Sequence, residues 1–189
     1  MPQVQNLALA LFLVATCAGA YSANANDLHR IDFLLYGAAT AILVVNTARR
    51  SPALTSDDRL WVSAVCAVSS VYYLAFEAGP VFSAVLVLHV LGDLSLIYLG
   101  RSFAIFPARR ELRLGGLYSY VRHPAYASYI ATDLMFVVSS PSLRNGMVAA
   151  VGISLLLVRV HLEERLLNAD PNYQRYCEST RYRLLPGIY

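Results

Sequence analysis

Residues 115–126 read Gly-Gly-Leu-Tyr-Ser-Tyr-Val-Arg-His-Pro-Ala-Tyr, a polar, aromatic and basic stretch between two apolar parts of the chain. Pro124 suits the first turn of a helix, because the first N–H groups of a helix have no partner within it and proline has no N–H. The stretch therefore predicts a loop that becomes a helix at Pro124, with His123 at or near its N-terminal cap. Free N–H groups at a helix start attract an anion. The tyrosines of this stretch can either stack on a base or serve as plain anchors at a membrane interface.

A second polar segment, Arg-Val-His-Leu-Glu-Glu-Arg-Leu-Leu over residues 159–167, follows one further apolar hairpin. Arg159 and Glu163 share one face of the predicted helix. Such a pair can be a surface ion pair worth about 0.3–0.5 kcal/mol. A carboxylate where a helix leaves a bilayer is costly without a cation, which Arg159 or a ligand ammonium can provide. We expect the two segments to meet at one membrane face and form one site.

The composition indicates an integral membrane protein. Of the 189 residues 57% are hydrophobic and 14% are charged, whereas soluble domains carry about 25% charged residues, and the mean hydropathy is +0.50. All 15 basic residues are arginines in short clusters between apolar runs, which is typical of membrane topology and argues against a nucleic-acid partner. The three cysteines and four histidines are scattered, so no disulfide framework and no metal site is predicted.

Six spans are predicted, and together they form an all-α polytopic bundle with an amphipathic C-terminal tail. They are residues 7–23, 33–48, 60–78, a stretch from Gly79-Pro80 to near Leu99, 124–140 and 145–160. Thirteen of the 15 arginines then lie on the side of both termini, which predicts that this side is cytoplasmic. Five spans remain an alternative, although they would split the arginine clusters. The run at 7–23 also resembles a secretory signal, but residues 1–6 contain no basic residue.

Taken together, the two segments resemble the isoprenylcysteine carboxyl methyltransferase family, in particular its bacterial branch. The resemblance is carried by Gly-Gly-Leu-Tyr-x-x-Val-Arg-His-Pro-x-Tyr, by Arg-x-x-x-Glu-Glu-x-x-Leu and by Leu185-Pro186-Gly187, and it covers residues 99–189. It implies an integral membrane enzyme of a bacterial inner membrane that uses S-adenosylmethionine. The chain is then one domain, residues 1–189, in which 1–98 shape a lipid-facing cavity and 99–189 bind the cofactor in a cytoplasmic pocket.

The resemblance also implies roles for individual residues. Glu163 would hold the ammonium of the cofactor's methionine part, Arg159 would face the substrate, and the tail would fold back over the site. The implied cofactor-binding residues are Arg110, Glu111, Leu112, Arg113, Tyr118, His123, Pro124, Ala125, Tyr126 and Glu163. Where the family often has Gly, this chain has Ser128, which still permits close helix packing but bears on substrate identity.

The methyl acceptor stays open at this point. An apolar or lipid-like carboxylate is one candidate, since it is ionised at neutral pH and needs a cation rather than a base. A phospholipid amine or a thiol would need a proton acceptor, and a non-catalytic membrane relative is a further alternative. Asp93, in the fourth predicted span, is either a catalytic group near the substrate head or an interhelical hydrogen-bond partner. The bilayer and a small apolar substrate are the expected partners, and no protein partner is indicated.

Overall fold

The computed structural model describes residues 82–99, 112 and 114–189, together with Val65 and Val68, which are helical. Within these residues the protein consists of α-helices, a 3-10 turn and connecting loops, with no strand. The all-α expectation is therefore confirmed for this part of the chain. The first three predicted spans lie outside the described residues, apart from Val65 and Val68.

The first described helix, α1, spans Phe82–Leu99 and packs against the second, α2, which spans Pro124–Ser139. The two helices approach closely at Gly92, where an added Cβ would lie 2.5 Å from Ser128 Oγ and 3.1 Å from a ring carbon of Tyr129. Ser128 is buried and its hydroxyl donates to the carbonyl of Ala125 at 2.8 Å. A serine at position 128 thus permits close packing because the facing helix has a glycine.

Helix α2 begins at Pro124, as the sequence predicts, and a short turn leads into α3, Leu143–Leu167. The Ser142 hydroxyl accepts the N–H of Asn145 at 3.1 Å and caps α3, while the Asn145 amide donates to the carbonyl of Ser140 at 2.8 Å. Side-chain caps of this kind satisfy N–H groups that have no partner within the helix. The predicted span over 145–160 lies within α3, and the polar segment at 159–167 continues the same helix, as the helical spacing of Arg159 and Glu163 predicts.

Among the described helices, α3 is the one whose length and composition suffice to cross a membrane. Its 25 residues include an 18-residue window of mean hydropathy 1.6, of which 39% is buried. Leu143, Met147 and Val151 are exposed, which leaves an apolar surface on this helix. A shorter apolar stretch covers Val87–Leu99 within α1. The count of six spans and the cytoplasmic side of the pocket remain predictions.

The chain returns to the start of α2 after α3 ends. A fourth helix, α4, spans Pro171–Ser179 and is capped by Asp170, whose carboxylate accepts the N–H of Asn172 at 2.9 Å. Asp170 and Pro171 are the sequence signals for this helix start, because Asp is a favoured cap residue and Pro suits the first turn. Residues 180–189 then form a tail whose Leu184 is buried in one cluster with Tyr126, Leu156 and Val160. The tail therefore packs against the start of α2 and the second half of α3.

Candidate functional site

The loop before α2 is shaped by two glycines that lie against Tyr98 of α1. Gly116 has a φ of +62°, a conformation that favours glycine, and an added Cβ there would lie 3.3 Å from the Tyr98 ring. The 3-10 turn Gly116–Ser119 places Tyr118 inside, stacked on Tyr98 at 6.0 Å between ring centroids. The Tyr118 hydroxyl donates to the carbonyl of Ser95 at 3.3 Å, and burial raises its pKa. The Gly-Gly pair thus fixes the turn against α1.

His123 is the N-terminal cap residue of α2, and no side chain caps the helix there. Its backbone N–H donates to the carbonyl of Arg183 at 2.8 Å, and the N–H of Arg122 donates to the carbonyl of Tyr182 at 2.9 Å. The Arg122 guanidinium also donates to the carbonyl of Arg181 at 3.2 Å. The C-terminal tail is therefore held on the start of α2 by main-chain hydrogen bonds, as the resemblance implied.

Glu164, which is buried, lies at the centre of the polar cluster. Its carboxylate accepts a hydrogen bond from Arg183 Nε at 2.6 Å and lies 3.1 Å from Arg122 Nη1. His123 Nε2 and the Tyr173 hydroxyl are each 3.4 Å from the same carboxylate. Two guanidinium groups around one carboxylate offset the cost of burying it, and the bond to Glu164 raises the pKa of Arg183. Glu164 thus joins α3, the start of α2, α4 and the tail.

Glu163 lies beside this centre and is more accessible, with 23% of its side chain exposed. The Tyr126 hydroxyl donates a short hydrogen bond to its carboxylate, and His123 Nδ1 lies 3.9 Å away. The guanidinium carbon of Arg159 lies over the same Tyr126 ring, 5.4 Å from its centroid. Guanidinium groups are attracted to ring faces at this distance. Tyr126 therefore links the accessible carboxylate to a buried cation.

Two tyrosines of α4 complete the enclosure. The Tyr176 hydroxyl donates to the carbonyl of Tyr118 at 2.5 Å, and Tyr173 reaches Glu164. Burial raises the pKa of Tyr176 to about 12, and burial together with the nearby charge of Glu164 raises that of Tyr173. Both phenols are therefore neutral donors at physiological pH. They hold α4 against the loop and against α3.

The structure brings most of the sequence-predicted site residues together. Tyr118, Pro124 and Ala125 are buried around the start of α2, next to the His123, Tyr126, Glu163 and Arg159 cluster. Leu112 is half-buried in the preceding loop, and Arg110, Glu111 and Arg113 lie outside the described residues. Asp93 is buried in α1, two positions from the Ser95 carbonyl that Tyr118 binds. The roles assigned to these residues are not tested by their positions.

Sequence reasoning missed the part played by Glu164 and its cationic partners. Arg122 was read as part of the motif and Arg183 as part of an arginine-rich side, but neither was paired with a carboxylate. One signal was available: two adjacent carboxylates in α3 need two sets of partners, and Arg159 can neutralise one. Arg183 is separated from Glu164 by 19 positions, and no local periodicity connects the two.

Comparison with models of known protein families identifies a match. The family model described as "Isoprenylcysteine carboxyl methyltransferase (ICMT) family" matches residues 72–169, which is just over half of the chain. The matched region contains α1, the 3-10 turn, α2 and α3 with both glutamates, but not α4 or the tail. No curated protein matches the chain.

Proposed function

The chain belongs to the isoprenylcysteine carboxyl methyltransferase family, whose members are membrane methyltransferases, and we propose that it methylates an apolar, lipid-like acceptor with S-adenosylmethionine as donor. The observation that carries the proposal is the meeting of the two polar segments at Tyr126, whose hydroxyl binds Glu163 and whose ring receives Arg159. We place the cluster at the cytoplasmic face of a bacterial inner membrane, on the basis of the arginine distribution.

The residues present fit the amino-acid part of this donor. Glu163 offers a partly accessible carboxylate for an ammonium group. The start of α2 has no side-chain cap, and an uncapped helix N-terminus suits a carboxylate. Glu163 would hold the ammonium, and the N–H groups of Ala125 and Tyr126 at the start of α2 would hold the carboxylate. The donor, when bound, supplies the methyl group as part of a sulfonium.

In this proposal Arg159 holds the acceptor. It is 7% exposed, lies one helical turn before Glu163 on α3 and has its guanidinium over the Tyr126 ring. A carboxylate acceptor is already ionised at neutral pH, so the protein has to orient it and exclude water, and no base is required. Orientation alone contributes up to about 7–11 kcal/mol in favourable cases. The apolar surface of α3 lets a lipid-like acceptor approach from the side.

The direct test is transfer of tritiated methyl groups from S-adenosylmethionine to a bacterial membrane lipid extract, catalysed by the purified full chain. A carboxylate acceptor gives base-labile label, as expected of an ester. Base-stable label would indicate that the acceptor is an amine or a thiol rather than a carboxylate. Absence of label in protein that binds the donor would refute turnover and favour a non-catalytic relative.

A substitution at Arg159 separates acceptor binding from donor binding. Arg159→Ala should lower transfer about a hundredfold, because it removes the cation opposite the acceptor, and should leave donor affinity within about threefold of wild type. Arg144→Ala, at the opposite end of α3, is the matched control and should keep full transfer. Equal loss of transfer and of donor binding in Arg159→Ala would show that its proposed role is wrong.

A further inference from the structure

A shallow groove of about 310 Å³ lies between the 3-10 turn, the end of α4 and the C-terminal tail, and Glu164 is not among its lining residues. Its volume is at the lower end of the range for ligand sites. The residues that line it share small polar or aromatic side chains, with one cation and no carboxylate. They are Ser119, Tyr120, Ser179, Thr180, Arg181, Tyr182 and Pro186.

Three of these side chains present hydrogen-bond donors that no described residue uses. Arg181 is exposed, Tyr120 is 71% exposed and Tyr182 is 40% exposed, and none of the three side chains has a hydrogen bond or ion pair within the described part of the chain. By contrast, the guanidinium groups of Arg122 and Arg183 are both held by Glu164. The groove thus combines one uncommitted guanidinium with two phenolic hydroxyls.

The other hydroxyls of the groove are already committed to the backbone. Ser119 donates to the carbonyl of Gly116 at 2.7 Å, Ser179 to that of Tyr176 at 2.9 Å and Thr180 to that of Ser119 at 3.5 Å. These bonds fix the walls of the groove. The free donors consequently lie around a preformed surface, which lowers the entropic cost of binding.

The groove is formed by a tail that is bonded near the C-terminal end of the candidate span. The tail that forms it is bonded to Glu164, three residues before α3 ends, and α3 is the candidate span. Tyrosines are enriched at the level of the headgroups. The same tail exposes Leu185, Ile188 and Tyr189, at 52%, 80% and 47%, and apolar side chains of this kind suit the upper acyl region.

We propose that this groove binds the phosphodiester of a glycerophospholipid headgroup, with Arg181 as the cation and Tyr120 and Tyr182 as donors. Guanidinium groups bind phosphate oxygens in pairs. A single Arg charge matches the single charge of a phosphodiester, whereas a phosphate monoester carries about −1.5 to −2. The site is separate from the methyl-transfer cluster and does not depend on that function. A bound lipid would hold the tail at the membrane surface, and the tail in turn packs over the methyl-transfer cluster.

The test measures binding of dioleoylphosphatidylglycerol to the full chain in an uncharged detergent by native mass spectrometry. Dioleoylglycerol, which has the same acyl chains and no phosphodiester, is the lipid control. Arg181→Gln is the test variant. Arg175→Gln is the matched control, since Arg175 is an exposed arginine of α4 that does not line the groove. Circular dichroism of all three proteins verifies equal helix content.

Wild type and Arg175→Gln should retain one phosphatidylglycerol, and Arg181→Gln should bind it at least about tenfold more weakly, as expected for lost charge-assisted hydrogen bonds. Dioleoylglycerol should not be retained. Equal affinity in Arg181→Gln and wild type, or equal retention of dioleoylglycerol, would overturn the proposal. Displacement of the lipid by millimolar inorganic phosphate would also overturn it, because the site would then be one for a free anion. If Arg181→Gln does not fold, Tyr120→Phe together with Tyr182→Phe should weaken the lipid several-fold, and unchanged binding would refute the site.

Discussion

Replacement of Glu164 by glutamine tests whether this residue is the centre that holds the site together. Glu164→Gln keeps the shape of the side chain and removes its charge. The amide leaves two guanidinium groups, those of Arg122 and Arg183, within about 3 Å of a neutral group, at the distances 3.1 and 2.6 Å found for the carboxylate. The expected result is a large loss of stability, most of it from Arg122, because Arg122 is the more buried of the two arginines.

The two arginines contribute unequally to the expected loss. The Arg122 side chain is 10% exposed, and leaving a buried charge without its partner costs about 3–5 kcal/mol. The Arg183 side chain is 39% exposed, so solvent screens this pair and its share is about 1 kcal/mol or less. Because the glutamine oxygen still accepts a hydrogen bond, we expect a total near the lower limit, about 3 kcal/mol. A protein of this length then loses about 6–12 °C in Tm.

The assay is thermal unfolding of the purified full chain in detergent, with Glu163→Gln as the matched control. Glu163 is 23% exposed and its main bond is to the neutral Tyr126 hydroxyl, which the glutamine oxygen can also accept. That variant should lose about 1 kcal/mol or less. Equal shifts in the two variants would refute the reasoning. If Glu164→Gln gives no folded protein, Arg183→Gln should still fold and lose about 1 kcal/mol.

Two further perturbations follow from the packing around the site. Burial raises the pKa of Tyr176 to about 12, against 10.0 for the free side chain. The stabilising effect of the neutral Tyr176 hydroxyl is therefore complete below pH 10 and is lost as the pH rises to about 12. In alkaline titrations followed by circular dichroism, Tyr176→Phe should lose stability less steeply than wild type over this pH range. An identical alkaline profile in both proteins would contradict this. Gly92→Ala should destabilise the protein by about 1–3 kcal/mol through overpacking, since its Cβ would meet Ser128 Oγ. In thermal unfolding, adding Ser128→Gly to this variant should remove at least half of that loss. An unchanged loss would show that the clash is elsewhere.

The local features of the fold were predictable because each has a local cause. Pro124 and Asp170-Pro171 mark helix starts, and the structure begins α2 and α4 there. The glycines at 115 and 116 predict a turn, although their contact with Tyr98 is a long-range fact that the sequence does not show. The helical spacing of Arg159 and Glu163 predicts that the helix continues beyond the apolar run, and α3 does continue to Leu167.

The pairing of charges was not predictable from the sequence. Arg159 and Glu163 have helical spacing, which suggested an ion pair, yet the Arg159 guanidinium carbon lies over the Tyr126 ring and Glu163 binds the Tyr126 hydroxyl. Partner choice depends on how the tail returns to α2, and this return is set by backbone bonds from Arg122 and His123. Such bonds depend little on side-chain identity and therefore leave no sequence pattern.

Binding of the methyl donor to the purified chain tests the central claim most directly. Isothermal titration with S-adenosylmethionine should give a dissociation constant in the micromolar range for wild type, as is common for small ligands of enzymes. Glu163→Ala and His123→Ala should each abolish detectable binding, whereas Arg144→Ala should bind as wild type does. Undiminished binding in both Glu163→Ala and His123→Ala, or no binding by folded wild-type protein, would contradict the account.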